Sequence, residues 1–241
     1  MAALTTLLFD YGNTLIAFGP AQQEAQLAAM RRVLDQARVE YDPNLLDQMR
    51  LEQVLRPYKN NGIENDFRAI CHEVAAAFTH PDLAQSLTEP IMRARQEAFR
   101  ASVRVEPAVP ELLARLRKTY RLGLLSNYPC PASICESLKT LGLYDYFDAV
   151  VVSGQVGFAK PHPHTYQTLL TAMQATPGEC MYIGDNWLAD VQGAKRQGMK
   201  AAWIREHAPY EIFEPGEGDH PADLILERLS DLEDALIPFT G

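Results

Sequence analysis

The chain has 241 residues, a formal net charge of -9 at neutral pH and an apolar fraction of 47%. This length allows one large domain or a core with an insertion, and the apolar fraction suits a buried core rather than a disordered chain. The negative charge argues against nucleic acid as the main partner. A small phosphorylated ligand is still possible, because a binding site can be locally positive within an acidic protein.

The cysteines and the amino terminus indicate the compartment. The four cysteines are scattered without Cys-x-x-Cys spacing, so we expect free thiols in a reducing compartment and no zinc site. No basic residue precedes the short amino-terminal apolar run, which argues against a signal peptide. No apolar run approaches the roughly 18 residues that a membrane helix needs. We therefore expect a cytoplasmic protein that does not enter a membrane.

The first predicted strand covers Thr5 to Phe9 and ends abruptly on Asp10. Gly12 and Asn13 then indicate a tight turn. Asp10 therefore stands at the carboxyl end of a strand, where open parallel sheets bind their ligands. An isolated aspartate in this position more often caps the next segment, so later parts of the chain must decide its role.

Helical periodicity replaces the strand pattern from about residue 17 to residue 102. Asp42-Pro43 supplies a cap and a first-turn proline for the second of four predicted helices, and the fourth starts near Asp82. Four helices without a strand predict a bundle. The apolar positions that mark the four helices are Leu27, Met30, Leu34 and Ala37; Leu45, Met49 and Leu51; Phe67, Ile70, Cys71, Val74, Ala75 and Phe78; and Leu83, Leu87, Ile91 and Phe99.

From Glu106 onward, predicted strands alternate with predicted helices, which implies a doubly wound parallel sheet. The helical stretch thus interrupts an α/β core. We assign residues 1–16 and 103–241 to the core and residues 17–102 to an inserted helical domain. The predicted strands are Arg121–Leu125, Ala149–Val152, Cys180–Ile183 and Ala201–Ile204; the predicted helices are one opened by Pro107 and Pro110 and those at Ser133–Leu141, His164–Ala175, Asp190–Gln197 and Glu227–Leu236.

Three later stretches follow apolar runs and carry reactive side chains. With Asp10, they offer in order a nucleophilic carboxylate, a hydroxyl donor, a lysine cation and a pair of carboxylates. These are the groups needed for phosphoryl transfer through an aspartyl phosphate with a divalent metal. The stretches are Leu124-Leu125-Ser126-Asn127, Ala159-Lys160-Pro161-His162-Pro163, and Ile183-Gly184-Asp185 with Asp190.

Together these four motifs resemble the haloacid dehalogenase (HAD) superfamily of hydrolases, and the resemblance covers essentially the whole chain. It implies a Rossmann-like α/β core, a helical cap over the active site and Mg2+-dependent phosphatase activity toward a small phosphorylated metabolite. A plain structural subdomain is the alternative interpretation of the insertion. One position departs from the family: phosphatases usually have Asp-x-Asp-x-Thr in the first motif, and the second acid is Gly12 in this chain.

The resemblance also implies roles for the acidic residues. Asp10 is the expected nucleophile, and Mg2+ is expected to bind Asp10, the backbone carbonyl of Gly12 and Asp185. Asp190 is either a further ligand or a residue that contacts the ligands without binding the metal itself. Considered alone, it could also be a helix N-cap. A carbonyl ligand does not depend on its side chain, so Gly12 leaves the expected metal site intact.

Ser126 and Lys160 are the expected phosphate ligands, with Thr14 and Asn127 in support. Ser126 ends a strand, although Ser-Asn at such a place is commonly only a turn. Pro161 fixes the loop that presents Lys160, whose ammonium can neutralise phosphate and pair with Asp10 or Asp185; a solvated surface lysine is the alternative. Thr14 is suggested by the family pattern, and Asn127 by adjacency.

Gly12 weakens the phosphatase interpretation, because the acid usually found at this position protonates the leaving oxygen and then helps water to attack the aspartyl phosphate. Such general acid–base catalysis contributes about 10² to 10⁴ in rate, and Gly12 lacks the acid. Substrates with good leaving groups should suffer less from its absence. Two alternatives therefore stay open: a weakly active phospho-ligand-binding protein, and a 2-haloacid dehalogenase, which needs neither the acid nor Mg2+. The Asp185 and Asp190 pair argues against the dehalogenase. The sequence predicts neither the substrate nor the oligomeric state; Arg50, Arg56 and Lys59 could meet a second anionic group or be exposed helix charges.

Overall fold

A six-stranded parallel sheet forms the centre of the molecule, for which a computed structural model describes residues 3–206 and 214–239. Its strands are β1 (Thr6–Phe9), β2 (Arg121–Ser126), β3 (Ala149–Val152), β4 (Cys180–Gly184), β5 (Lys200–Ile204) and β6 (Leu224–Leu226). The order across the sheet is β3-β2-β1-β4-β5-β6, so strand order reverses at β1. This is the doubly wound α/β fold that the sequence predicts.

Helices cover both faces of the sheet. In β1, Leu7 and Phe9 face one apolar layer while Leu8 faces the other, as alternation along a strand requires. The helices of the core are α5 (Ala108–Leu116), α6 (Pro131–Thr140), α7 (Ser153–Val156), α8 (Pro163–Met173), α9 (Gly193–Arg196) and α10 (Leu232–Ala235), with a π-helical turn at Trp187–Gln192 before α9.

Four helices lie between β1 and α5: α1 (Pro20–Gln36), α2 (Pro43–Lys59), α3 (Phe67–Phe78) and α4 (Pro81–Ser102). They enclose an apolar cluster of their own, built largely from the predicted positions. The second helix differs from the prediction, because Leu46 is buried there while Leu45 and Leu51 are 39% and 40% exposed. A single-residue shift of this kind turns a helix by about 100°.

The predicted carboxyl-terminal helix Glu227–Leu236 is confirmed only in part, because helical structure covers residues 229–235 and begins as a 3₁₀ turn. The chain forms β6, then a 3₁₀ turn at Leu229–Asp231, and only then the single turn of α10. Leu229, Leu232 and Leu236 are buried with helical spacing, which explains why the pattern suggested a continuous helix. A strand of three residues is too short to show an alternating pattern.

The cysteines are free, as predicted: Cys71, Cys130 and Cys180 are buried and Cys135 is partly buried. Within the described ranges, no helix has the length and apolarity to cross a membrane.

Candidate active site

The sheet brings three motifs to one edge. Phe9 of β1 pairs with Leu124 of β2 on one side and with Ile183 of β4 on the other. Because all three strands are parallel, the residues that follow these positions emerge together at the carboxyl edge. Asp10, Ser126 and Asp185 therefore meet at the point where the strand order reverses, which is where such sheets bind ligands.

Lys160 comes from the loop before α8 and lies at the centre of this edge. Its Nζ is 2.7 Å from Asp10 Oδ1 and 2.7 Å from Asp190 Oδ1. It also donates to the Leu125 carbonyl at 3.0 Å and lies 2.8 Å from the Tyr182 hydroxyl. The side chain is 2% exposed. Lys160 thus pairs with Asp10 as predicted, but its second carboxylate is Asp190 and not Asp185.

The charges at this edge perturb one another. Burial by itself would lower the pKa of Lys160, but the fields of Asp10 and Asp190 outweigh it and raise that pKa well above its usual value. Burial, followed by repulsion from Asp10 and Asp190, raises the pKa of Asp185 well above its ordinary range. Burial also raises the pKa of Asp190 to about 6, although Lys160 opposes the shift. The cluster is therefore rich in negative charge and favours a cation.

Asn127 and Tyr58 fix the position of the Lys160 loop through a chain of hydrogen bonds. The Asn127 side chain accepts from the Lys160 backbone N–H at 2.7 Å and donates to its carbonyl at 2.9 Å. The hydroxyl of Tyr58, from the helical insertion, hydrogen-bonds Asn127 in turn. Sequence adjacency suggested Asn127 as a phosphate ligand; its contacts make it a positioning residue for Lys160, and its binding of phosphate stays a prediction.

The acidic residues are placed to hold a metal ion. One oxygen each from Asp10, Asp185 and Asp190 lie within 4.8 Å of one another, and opposite oxygens in an octahedral Mg2+ shell are about 4 Å apart. Asp190 is already engaged, since its Oδ1 pairs with Lys160 and its Oδ2 accepts from the Asn186 backbone at 2.9 Å. Asp185 is therefore the freer of the two carboxylates to meet a cation, while Asp190 contacts Lys160. The donor set fits a hard cation.

Local sequence features explain how Asp190 reaches this position. The Asn186 side chain caps the following turn by accepting from the Ala189 N–H at 2.9 Å. Asn186, not Asp190, is thus the N-cap, so the capping alternative for Asp190 is wrong. A Cβ on Gly184 would lie 2.2 Å from Asp190 Oδ2, so this position must be glycine for the two ends of the motif to meet.

The remaining predicted residues are placed unequally. Ser126 is buried at the end of β2 and lines the cavity described below. Thr14 is buried, and among the described residues its hydroxyl has no hydrogen-bond partner. It is not one of the residues found to line the cavity in the described part of the chain. Gly12 lines the cavity without a positive φ, and an added Cβ would lie 3.4 Å from the Phe18 Cβ. A side chain at Gly12 is thus sterically possible.

A cavity of about 730 Å³ extends from Asp10 and Lys160 to the helical insertion. Of the three predicted cationic candidates in the insertion, only Arg50 lines it. Arg56 pairs with Glu73 at 2.9 Å and Lys59 with Glu52 at 3.0 Å. The sequence analysis missed several residues of this wall, notably Gln53, Tyr58, Glu64 and Arg95.

The loop between α2 and α3 touches the core close to Lys160. Ile63 forms an antiparallel bridge with Phe158, flanked by hydrogen bonds from Ala159 N to Gly62 O at 2.7 Å and from Glu64 N to Gly157 O at 3.0 Å. The Glu64 carboxylate also accepts from the buried Ser153 hydroxyl, and burial raises the pKa of Glu64. The insertion is therefore tied to the core at a third place besides its two chain connections.

Comparison with known proteins agrees with this geometry. The family model described as haloacid dehalogenase-like hydrolase matches residues 26–204. The chain therefore belongs to the haloacid dehalogenase-like hydrolase family, and it is an enzyme.

The relatives of the chain are phosphatases by name. It is 27% identical to a glyceraldehyde 3-phosphate phosphatase of Methanopyrus kandleri, over 97% of each chain. It is 26% identical to the human N-acylneuraminate-9-phosphatase over 86% of this chain and 85% of the relative. A phosphoserine phosphatase of Thermus thermophilus is 34% identical over 58% of this chain and 53% of its own length. Phosphoric monoester hydrolysis is thus the activity to which these relatives point.

Solved structures show the same fold. A 2-haloacid dehalogenase from Pseudomonas syringae superposes with a TM-score of 0.77 at 23% identity, covering 98% of this chain and 99% of that one. A HAD phosphatase from Thermococcus onnurineus superposes with a TM-score of 0.65 at 21% identity, covering 97% and 98%. At these identities the likeness concerns the fold alone and does not separate the two chemistries.

Proposed function

We propose that the protein is a cytoplasmic, Mg2+-dependent phosphatase that cleaves a small phosphorylated metabolite through an aspartyl phosphate on Asp10. The observation that carries the proposal is the buried pairing of Lys160 with Asp10 at the sheet edge. Residues 1–16 and 103–241 are the catalytic core in this proposal, and residues 17–102 are the cap that closes over it.

In the first step, an Asp10 carboxylate oxygen attacks phosphorus and the bond to the substrate oxygen breaks. Two negative groups must meet, and the Lys160 ammonium beside Asp10 reduces their repulsion. Ser126 donates to a phosphate oxygen. Asn127 keeps the Lys160 loop in place through its two backbone contacts.

In the second step, water attacks the aspartyl phosphate, which restores the Asp10 carboxylate and releases inorganic phosphate. The balance is one ester and one water consumed for one alcohol and one phosphate. The leaving oxygen takes up a proton, and with Gly12 in place of the usual acid that proton comes from solvent or from the substrate. We therefore expect the best rates with leaving groups of low pKa.

Asp10, Asp185 and the Gly12 carbonyl would hold Mg2+, with Asp190 beside them. The ion would supply charge neutralisation between the phosphate and the carboxylates. The raised pKa of Asp185 supports this assignment, because a third carboxylate placed beside Asp10 and Asp190 is unfavourable until a cation joins them.

The test is a release assay for phosphate and for halide, each with Mg2+ or with chelator. We expect Mg2+-dependent phosphate release that Asp10→Asn abolishes, while phosphate-ester binding survives in part. Halide release in the presence of chelator would identify a dehalogenase instead. Binding of phosphate esters without any turnover would identify a binding protein.

A further inference from the structure

The fourth helix of the insertion carries a charged residue on its buried face. Arg95 lies four residues after Ile91 and four before Phe99, which places all three on one side of α4. Its exposed fraction is 7%, against 0% for Ile91 and 1% for Phe99. A guanidinium therefore occupies a position where the helix otherwise buries apolar side chains.

The contacts of Arg95 do not compensate its charge. NH1 lies 3.4 Å from Gln53 Oε1, which is long for a hydrogen bond to oxygen, and 3.7 Å from Cys71 Sγ, which is a weak and uncharged acceptor. The guanidinium carbon is 5.3 Å from the centre of the Phe67 ring, a cation–π contact, and the buried Nε has no hydrogen-bond partner in the part of the chain that the structure describes. Within residues 3–206 and 214–239, no carboxylate forms an ion pair with it. Buried charges are ordinarily paired.

Gln53 is oriented toward Arg95 and not toward solvent. Its Nε2 donates to the Ile70 carbonyl at 3.0 Å, so the opposite end of the amide faces the guanidinium. Gln53 is itself 5% exposed. The pair is thus a preformed polar site on the buried side of the helical bundle.

Arg95 and Gln53 line the same cavity as Asp10 and Lys160. Glu64 also lines it, but its carboxylate already accepts from Ser153 and Asn65. Arg50 is only half-buried, although its Nε also lacks a partner among the described residues; Arg95 is the more completely buried of the two cations. The missing counter-charge for Arg95 can therefore come from whatever fills the cavity.

We infer that Arg95, with Gln53, binds a carboxylate of the substrate at the cap end of the cavity, while its phosphate lies against Asp10. The planar fork of arginine matches a carboxylate in a bidentate geometry, and one guanidinium charge balances one carboxylate. The substrate class is therefore a phosphate monoester of a small hydroxy acid. This inference rests on the proposed function.

The experiment compares matched ligands that differ only in the second anion. The acids are ω-phosphorylated hydroxy acids of increasing chain length, starting with phosphoglycolate, and each is paired with the hydroxyalkyl phosphate of the same length. At the best length, we expect the wild type to favour the acid by about 10-fold or more in kcat/KM, as for a hydrogen-bonded charge pair. Arg95→Met should bring this ratio close to one.

Two further variants separate binding from structural damage. Arg95→Lys keeps the charge but loses the fork, and should retain part of the preference. Arg56→Met is the matched control, because Arg56 is also a cap arginine but pairs with Glu73 at the surface; it should keep the full ratio.

Calorimetric titration in the Asp10→Asn background gives a readout without turnover, and the same preference should appear there. Equal binding of acid and alcohol by that variant, or an acid preference that survives Arg95→Met, overturns the inference. If phosphate release from an aryl phosphate depends on Asp10 while no acid preference exists at any length, only the carboxylate inference fails. If no ester is hydrolysed but the Asp10→Asn variant still selects acids through Arg95, the proposed function fails and the carboxylate site stands.

Discussion

Two buried cations lie on opposite walls of one cavity and differ in how they are compensated. Lys160, on the core side, is 2% exposed and meets two carboxylates at 2.7 Å. Arg95, on the side of the helical insertion, is 7% exposed and has an amide, a thiol and a ring as neighbours. Burial alone does not reveal the role of a cation; its counter-charges do. Lys160 therefore has its counter-charges before a ligand arrives, whereas Arg95 needs a ligand to supply one.

The free energies of unfolding of two variants test this difference between Lys160 and Arg95 most directly. Lys160→Met leaves Asp10 and Asp190 buried without their cation, so we expect the free energy of unfolding to fall by about 3 to 5 kcal/mol. Arg95→Met removes a charge that lacks a carboxylate partner, and should be close to neutral or stabilising. Denaturant unfolding at neutral pH without Mg2+ measures both. Equal losses in the two variants would contradict the distinction.

The second prediction concerns Asp185, which makes the core side electrostatically unbalanced without metal. Its raised pKa means that its contribution to stability is present at low pH and is lost as pH rises through the folded-state pKa. Asp185→Ala should therefore stabilise the metal-free protein at neutral pH, flatten that pH dependence, and abolish both stabilisation by Mg2+ and turnover. Thermal unfolding against pH, with and without Mg2+, measures these effects. Full Mg2+ stabilisation of the variant would rule out Asp185 as a ligand.

The third and smallest effect concerns Gly12, where the core side lacks a proton donor. Gly12→Asp should raise the turnover of alkyl phosphates more than that of aryl phosphates, whose oxygens leave as stable anions. The general-acid contribution of about 10² to 10⁴ is the upper limit. The absence of a positive φ and the 3.4 Å contact with Phe18 indicate that an aspartate fits here.

The ratio of alkyl to aryl turnover within each enzyme is the measurement, because it cancels general damage to the site. Gly12→Asn is the matched control, since it adds similar bulk without an acid. An unchanged ratio in a folded, Mg2+-binding Gly12→Asp variant would mean that protonation does not limit the reaction.

The sequence predicted the sheet and the core side of the cavity well, because strand-end residues in a parallel sheet meet at one edge whatever the loops do. The positions of Asp10, Ser126 and Asp185 could be predicted from the order of the strands alone. The predicted pairing of Lys160 with Asp10 is confirmed. Its second partner, Asp190, was not predicted, since Asp190 reaches it through a turn that Asn186 caps, and such local geometry leaves little trace in hydrophobic periodicity.

The cavity wall formed by the helical insertion was harder to predict, because helix packing decides which of its side chains enter the cavity. A signal for Arg95 was nevertheless present. The apolar positions of the fourth helix, Leu83, Leu87, Ile91 and Phe99, are spaced by four residues with one gap, and Arg95 fills that gap. A charge in register with a buried stripe is expected to be buried, and to need a partner. Tyr58 and Glu64, by contrast, reach the core from the last turn of α2 and from the loop that follows it, and their positions depend on how that segment folds.

The β-bridge between that loop and the core contains two backbone amides whose hydrogen exchange can be measured. The amides of Glu64 and Ala159 are both closed by this bridge, and Ala159 directly precedes Lys160. In the proposal that the insertion is a cap, we expect an opening wide enough to admit a substrate to release both amides to water together. The rate of deuterium uptake at these two amides would then report how often the insertion opens. The measurement needs neither a probe attached to the protein nor turnover of a substrate. A ligand that holds both walls of the cavity at once should slow the exchange of these two amides in parallel, whereas free phosphate, which touches one wall, should leave it almost unchanged.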